Sequence, residues 1–270
     1  MQTVSPSIEV VFHLPEGYTD PEKFIEAVGR ICYKSEDRIT DDSAPRFVKM
    51  LKDRGHTAML EHCVATAFVV CDRGHSHEQM RHRLCSYAME STRYCDYSKK
   101  PKEGEPVGKG VAVIKPMGML RYPDDKGSCL LGFTEQTDFL PVQRWALEKV
   151  VELLDCQEAG HARRIIANML NAEVDETQLW ELAMKWSDQS YRMMRRTGSP
   201  PQRARHVLPI GLKTEYAITA NMTEWLHIFK MRCSKEAHPH IRTLMLQALK
   251  VFAKRVPSIF GDMWKELSDG

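Results

Sequence analysis

Cys63-Val64-Ala65-Thr66-Ala67-Phe68-Val69-Val70-Cys71 runs through Asp72-Arg73 into Gly74-His75-Ser76-His77-Glu78-Gln79-Met80-Arg81-His82-Arg83, and then into Leu84-Cys85-Ser86-Tyr87-Ala88-Met89-Glu90-Ser91-Thr92-Arg93-Tyr94. The first segment is rich in Val, Ala and Phe with few charges, the pattern of a strand buried on both faces. The second predicts a helix over Gly74–Arg83, with His77 and Arg81 four residues apart on one face. The third is small and polar and reads as a loop. The core strand therefore delivers a cationic helix end and a polar loop to one rim of the core. Arg81, Arg83 and Arg93 flank two serine hydroxyls there, a donor set suited to anions, because guanidinium groups hold phosphate in a bidentate fork.

Working outward, Ile8–Leu14 reads as a short strand, and Pro21 starts a helix with Phe24, Ile25, Val28 and Ile31 on one face. Asp41-Asp42-Ser43 begins another helix that carries Phe47, Val48 and Leu51 and stops near Gly55. Lys99–Lys126, rich in Pro, Gly and Lys, reads as an exposed, mobile excursion. Helical periodicity returns over Pro141–Leu154, Ala159–Leu170, Thr177–Arg195, Met222–Arg232 and Pro239–Val256, the last with Ile241, Leu244, Met245, Leu249 and Phe252 inward. The expected architecture is one mixed α/β domain over 1–270 with an extended insertion at about 98–178.

At 270 residues with 43% apolar and 27% charged side chains, the composition is that of a soluble globular protein, and a formal net charge of +2 gives no global pull toward nucleic acid or membrane. Any anion site must come from local clustering. The amino terminus shows no signal peptide and no run is long and apolar enough to span a bilayer. Eight cysteines without a Cys-x-x-Cys pair suit reduced thiols, so a cytoplasmic protein without nucleic-acid or membrane partners is expected.

Arg81-His82-Arg83, seven residues, then Ser91 resembles the signature of the flavin-dependent thymidylate synthases, with Ser86, Arg93 and Tyr94 in register. A second stretch, Ala204-Arg205-His206-Val207-Leu208-Pro209 followed by Thr214, Thr219, Asn221, His227 and Arg232, is similar to the same family. The likeness covers about Gly55–Tyr94 and Tyr191–Arg242. It implies a central twisted, largely antiparallel sheet flanked by helices, and a homotetramer with shared active sites. The implied reaction is reductive C5-methylation of a uridine monophosphate, with FAD as cofactor and NADPH and methylenetetrahydrofolate as co-substrates. Arg232 is implied as the catalytic residue, since a fixed cation beside the pyrimidine stabilises charge that builds on the ring carbonyls when hydride reaches C6. Glu78, Arg81, Ser91, Arg93, Arg205 and Arg232 are the implied substrate-binding residues, and His56, Arg81, His82, Arg83, Asn221 and His227 the implied flavin-binding ones. His62, after Glu61, is read as structural support.

Several positions depart from the family's habit: Ala88 for Asn, Met89 for Glu or Gln, Glu78 for Gln, Thr223 for Arg, and His238 and His240 for Gln and Glu. These changes enlarge and depolarise the expected pocket, so UMP joins dUMP as a candidate substrate, with Glu78 as an acceptor for the 2′-hydroxyl. Glu78 would repel a phosphate unless it accepts a hydroxyl or is neutralised by an arginine. A hydroxymethylase, a methylase of a modified pyrimidine, and a binding protein without turnover are the alternatives. Ser91 lacks a sequence-fixed base and reads as a hydrogen-bond donor, not a nucleophile; Cys85 reads as packing. His75 and His77 with His238 and His240 resemble zinc ligands, but no carboxylate or cysteine stands at diagnostic spacing, so no metal is expected.

Overall fold

A computed structural model of the chain describes residues 1–99, 111–116 and 176–268. They fall into two compact units. The larger holds Gln2–Cys95, Ala112–Met117 and Ile210–Gly270, and its centre is a four-stranded sheet of β2 (Ser7–His13), β3 (Val64–Asp72), β4 (Ser86–Met89) and β6 (Lys213–Asn221). The order is β2-β3-β6-β4 and every pairing is antiparallel, as expected of a mixed α/β fold with a largely antiparallel sheet. A separate two-stranded parallel sheet joins β1 (Gln2–Val4) to β5 (Ala112–Ile114).

One face of the four-stranded sheet is covered by helices α1 (Pro21–Tyr33), α2 (Ser43–Asp53), α6 (Met222–Arg232), α7 (Pro239–Arg255) and α8 (Pro257–Ser268). Ala65, Ala67, Val69 and Cys71 of β3 alternate into this core with Tyr216, Ile218 and Ala220 of β6. Trp225, Phe229, Phe252 and Phe260 close it as an aromatic cluster with ring centroids 4.9 to 5.7 Å apart. β3 is not buried on both faces as its composition suggested: Phe68, on the side away from the helices, is half exposed. Alternation was hidden because both sides of the strand carry apolar residues.

The buried face of α1 is rotated from the expected one. Glu22, Ile25, Glu26 and Gly29 point inward, while Ile31 is exposed. The two carboxylates tolerate burial because each is paired. Glu26 holds Arg30 at 2.7 Å and accepts from Ser43 at 2.8 Å, and Glu22 accepts from the Ser258 amide and hydroxyl. Gly29 lets α1 lie against α2, since a Cβ there would stand 2.6 Å from the Phe47 ring.

Among the elements that escaped the sequence reading are β1, β5 and β6, and α8, which begins at Pro257 just after the last helical pattern was expected to end. The expected helices at 141–154 and 159–170, and most of the 99–126 excursion, lie outside the described residues. In the smaller unit, α4 (Glu176–Arg196) is followed by α5 (Pro201–Ala204) and a 3-10 turn over Arg205–Val207. Arg195 of α4 grips Asp96 with two bonds, Nη2 to Oδ2 at 2.7 Å and Nε to Oδ1 at 3.1 Å, which holds the Asp96 carboxyl well below the usual range.

Candidate active site

The helix after β3 is shorter than its sequence implied. α3 spans Arg73–Gln79, opened by Asp72, whose side chain accepts from the His75 amide at 2.8 Å. It stops because its last carbonyls are taken. The Tyr87 hydroxyl donates to Gln79 O at 2.6 Å and to His82 O at 3.2 Å, while the His82 amide turns back to Gln79 O at 3.1 Å. Residues 80–85 therefore form a turn, and the segment read as loop contains β4, recruited by the free edge of β6 with Ser86 opposite Thr219. This turn exposes Arg81 and Arg83 and buries His82 between them.

The other half of the site comes from α6. Asn221 caps it, accepting from the Glu224 amide at 2.9 Å, and Arg232 sits in its last turn. Arg232 reaches back about 150 residues in sequence to the α3 end. Its Nε donates to His82 Nε2 at 3.0 Å, its Nη1 to Glu78 Oε2 at 3.2 Å, and its Nη2 to the Glu78 carbonyl at 2.7 Å. The expected repulsion between Glu78 and an anionic ligand is thus met by the second of its two remedies, a neighbouring arginine. Glu224 lies on the opposite side of His82, with Oε1 3.7 Å from Nδ1, and the His227 ring meets the His82 ring edge-on at 5.5 Å.

The His82–Glu224 approach is within ion-pair distance, but the imidazole is neutral. Burial pushes its pKa down to about 4, with Arg232 and then His227 adding to the effect. The bonding requires the same thing. A guanidinium only donates, so Nε2 must accept, and the ring proton must sit on Nδ1. The same bond competes with a cation among His82, Glu224 and His227, whose donor atoms lie within 4.8 Å of one another. Arg232 consumes one ring lone pair, a proton covers the other, and the guanidinium charge stands beside the site. Of the four histidines considered as zinc ligands, His75 meets the Tyr216 hydroxyl at 3.0 Å, His240 meets Asp72 at 3.0 Å, His238 Nδ1 accepts from the His240 amide at 3.4 Å, and His77 is exposed.

Of the residues singled out from sequence, the structure joins Glu78, His82, Arg232 and His227 in one cluster. Arg81 and Arg83 flank it in the chain with exposed side chains. Ser91 and Arg93 follow β4, Ser91 Oγ accepting from the Arg93 amide and the Arg93 guanidinium lying 5.5 Å from the Tyr94 ring. His56 lies at the opposite end of α6: it bonds the Tyr33 hydroxyl at 2.6 Å, and the adjoining Thr57 carbonyl accepts from Thr223, two residues beyond Asn221. Arg205 belongs to the smaller unit, with its side chain exposed. Met89 packs against the core, its sulfur accepting from Arg73 Nη2 at 3.9 Å, and Ala88 faces outward. Sequence reasoning missed Glu224. Its one signal was the Asn221-x-x-Glu224 spacing of a helix start, which says nothing of the imidazole beside it. Exposed guanidiniums on either side of a neutral imidazole fit a phosphate-bearing aromatic ligand such as a flavin dinucleotide.

Residues 16–258 match the model of a family described as Thy1, thymidylate synthase complementing protein. Among similar proteins, the flavin-dependent thymidylate synthase of Geobacter sulfurreducens is 24% identical over 262 residues, covering 94% of this chain and 85% of the relative. Those of Mycolicibacterium gilvum and Mycobacterium tuberculosis are 27% and 28% identical over 241 residues, covering 88% of this chain and 78% of each relative. With the match running over most of its length, the chain belongs to the Thy1 family of thymidylate synthase complementing proteins.

Proposed function

We propose that the protein carries out flavin-dependent reductive methylation at C5 of a uridine monophosphate, with FAD as cofactor and NADPH and methylenetetrahydrofolate as co-substrates. The names of its relatives support the flavin and the thymidylate-forming reaction. One observation carries the assignment of the site: Arg232, Glu78 and His82, brought from distant parts of the sequence, interlock through three hydrogen bonds.

The flavin supplies the hydride chemistry when bound. The chain's own residues bind and polarise. Arg81, Arg83, Arg93 and Arg205 offer guanidinium donors to phosphate groups, and the Ser91 hydroxyl adds a further donor. Arg232 holds a permanent charge where the pyrimidine carbonyls gain electron density, an interaction stronger in the transition state than before it. His82, being neutral, orients that guanidinium without adding a second repelling charge. His56, Asn221 and His227 complete the flavin contacts, and the working form is a homotetramer with shared active sites in the cytoplasm.

Glu78 favours UMP alongside dUMP. Its carboxylate keeps acceptor capacity beyond the Arg232 bonds and can take a ribose 2′-hydroxyl. Turnover of dUMP and UMP, each with methylenetetrahydrofolate and NADPH on flavin-loaded protein, tests both statements. Methylated product with a UMP rate comparable to that of dUMP is expected; strong preference for dUMP removes the ribonucleotide, and no product from either removes the reaction.

A further inference from the structure

His82 is addressed on both ring nitrogens, by Arg232 at Nε2 and by Glu224 at Nδ1, and both residues belong to α6. A neutral imidazole carries one proton, and these neighbours select the same tautomer. With the proton on Nδ1, Nε2 accepts from Arg232 and the N–H lies beside a carboxylate oxygen 3.7 Å away, an electrostatic contact and not a hydrogen bond. With it on Nε2, two N–H groups would meet at 3.0 Å and a nitrogen lone pair would face the carboxylate. We propose that Glu224 is a positioning residue: through the His82 tautomer it sets the orientation of the Arg232 guanidinium, and with it the charge presented to the pyrimidine. The inference rests on the reading of Arg232 given above.

Glu224 is built for such a task. Its backbone amide is fixed by Asn221 in the first turn of α6, where the helix dipole favours a carboxylate, and its side chain is buried. Cys85 Sγ donates to the same Oε1 at 3.9 Å, and burial pushes that thiol up to about 11, so it remains a donor at neutral pH. The charged and titratable groups around His82 are thus Arg232, Glu224 and His227 of α6, Glu78 of α3 through Arg232, Cys85 before β4, and Tyr87 of β4, whose hydroxyl donates to the His82 carbonyl.

The test uses the full chain. Long-range 15N–1H NMR of the His82 ring, assigned against H82N, reads the tautomer between about pH 6 and 8 without substrate. Wild type should show only the Nδ1–H form. E224Q replaces an acceptor-only group by one whose amide can also donate toward Nδ1; Arg232 still donates to Nε2, so Nδ1–H should remain the main form with a minor Nε2–H population appearing beside it. Its kcat should fall roughly tenfold with little change in nucleotide KM. E224D keeps the carboxylate and should retain the wild-type tautomer and most of the rate. An Nε2–H form in wild type, an unchanged tautomer in E224Q, or a mixed tautomer with an unchanged rate overturns the proposal. If no uridine monophosphate is methylated even by wild type, the functional reading fails separately, while the NMR result still decides whether Glu224 sets the ring.

Discussion

Arg232 makes three hydrogen bonds with its guanidinium, and a lysine could not reproduce them from one ammonium group. Its side chain is 13% exposed and that of Glu78 39%, so the pair is only partly screened by water. R232K should lower kcat/KM by roughly a hundredfold or more, the scale of losing an oriented transition-state donor, with the circular-dichroism spectrum unchanged. Steady-state kinetics on the preferred nucleotide checks it. Arg232 and the Arg81–Arg83 triplet were visible in the sequence because their spacing is a family pattern. Glu224 and Tyr87 were not, because their roles depend on neighbours brought in by the fold. Nothing in Tyr87's own surroundings announces that its hydroxyl ends a helix.

At the scale of elements, one glycine contact and one tyrosine contact each carry stability, in different parts of the fold. G29A would drive a methyl into the Phe47 ring and should destabilise the protein by about 1–3 kcal/mol, read as a lower midpoint in urea with little change in slope. Y87F removes the donor to Gln79 O and His82 O and should cost about 1–2 kcal/mol. It should also speed amide exchange in residues 80–83, which G29A should leave alone. Periodicity found α2, α6 and α7 well, since Phe47, Val48 and Leu51, or Leu244, Met245 and Leu249, repeat on one face. It misplaced the face of α1 because paired, buried Glu22 and Glu26 look solvent-facing in a sequence. β4 was hidden because Ser86–Met89 is too short to show alternation and becomes a strand only beside β6.

For the whole molecule, His75 and His82 make folding sensitive to acid. Burial lowers both folded pKa values from 6.5 to about 4. Between those values the unfolded chain binds more protons than the folded one, so stability rises with pH through this window and falls as pH drops from 6.5 toward 4. Each histidine contributes at most about 1.4 kcal/mol per pH unit there. The thiols of Cys63 and Cys233 act at the other end. Burial raises both from 9.0 to about 12, and stability should decline as pH rises across that interval. Urea midpoints from pH 4 to 11 should trace a plateau bounded on both sides, and H75N should shallow the acid limb. The sheet order β2-β3-β6-β4 places its latest-made strand between earlier neighbours. During translation, β3 and β4 must wait for residues 213–221 before either gains this partner, and Arg232 follows only at the end of the next helix. A ribosomal product truncated before residue 213 would present an unpaired apolar edge and a site without Arg232 together, making it a substrate for chaperones and proteases instead of a partly working enzyme.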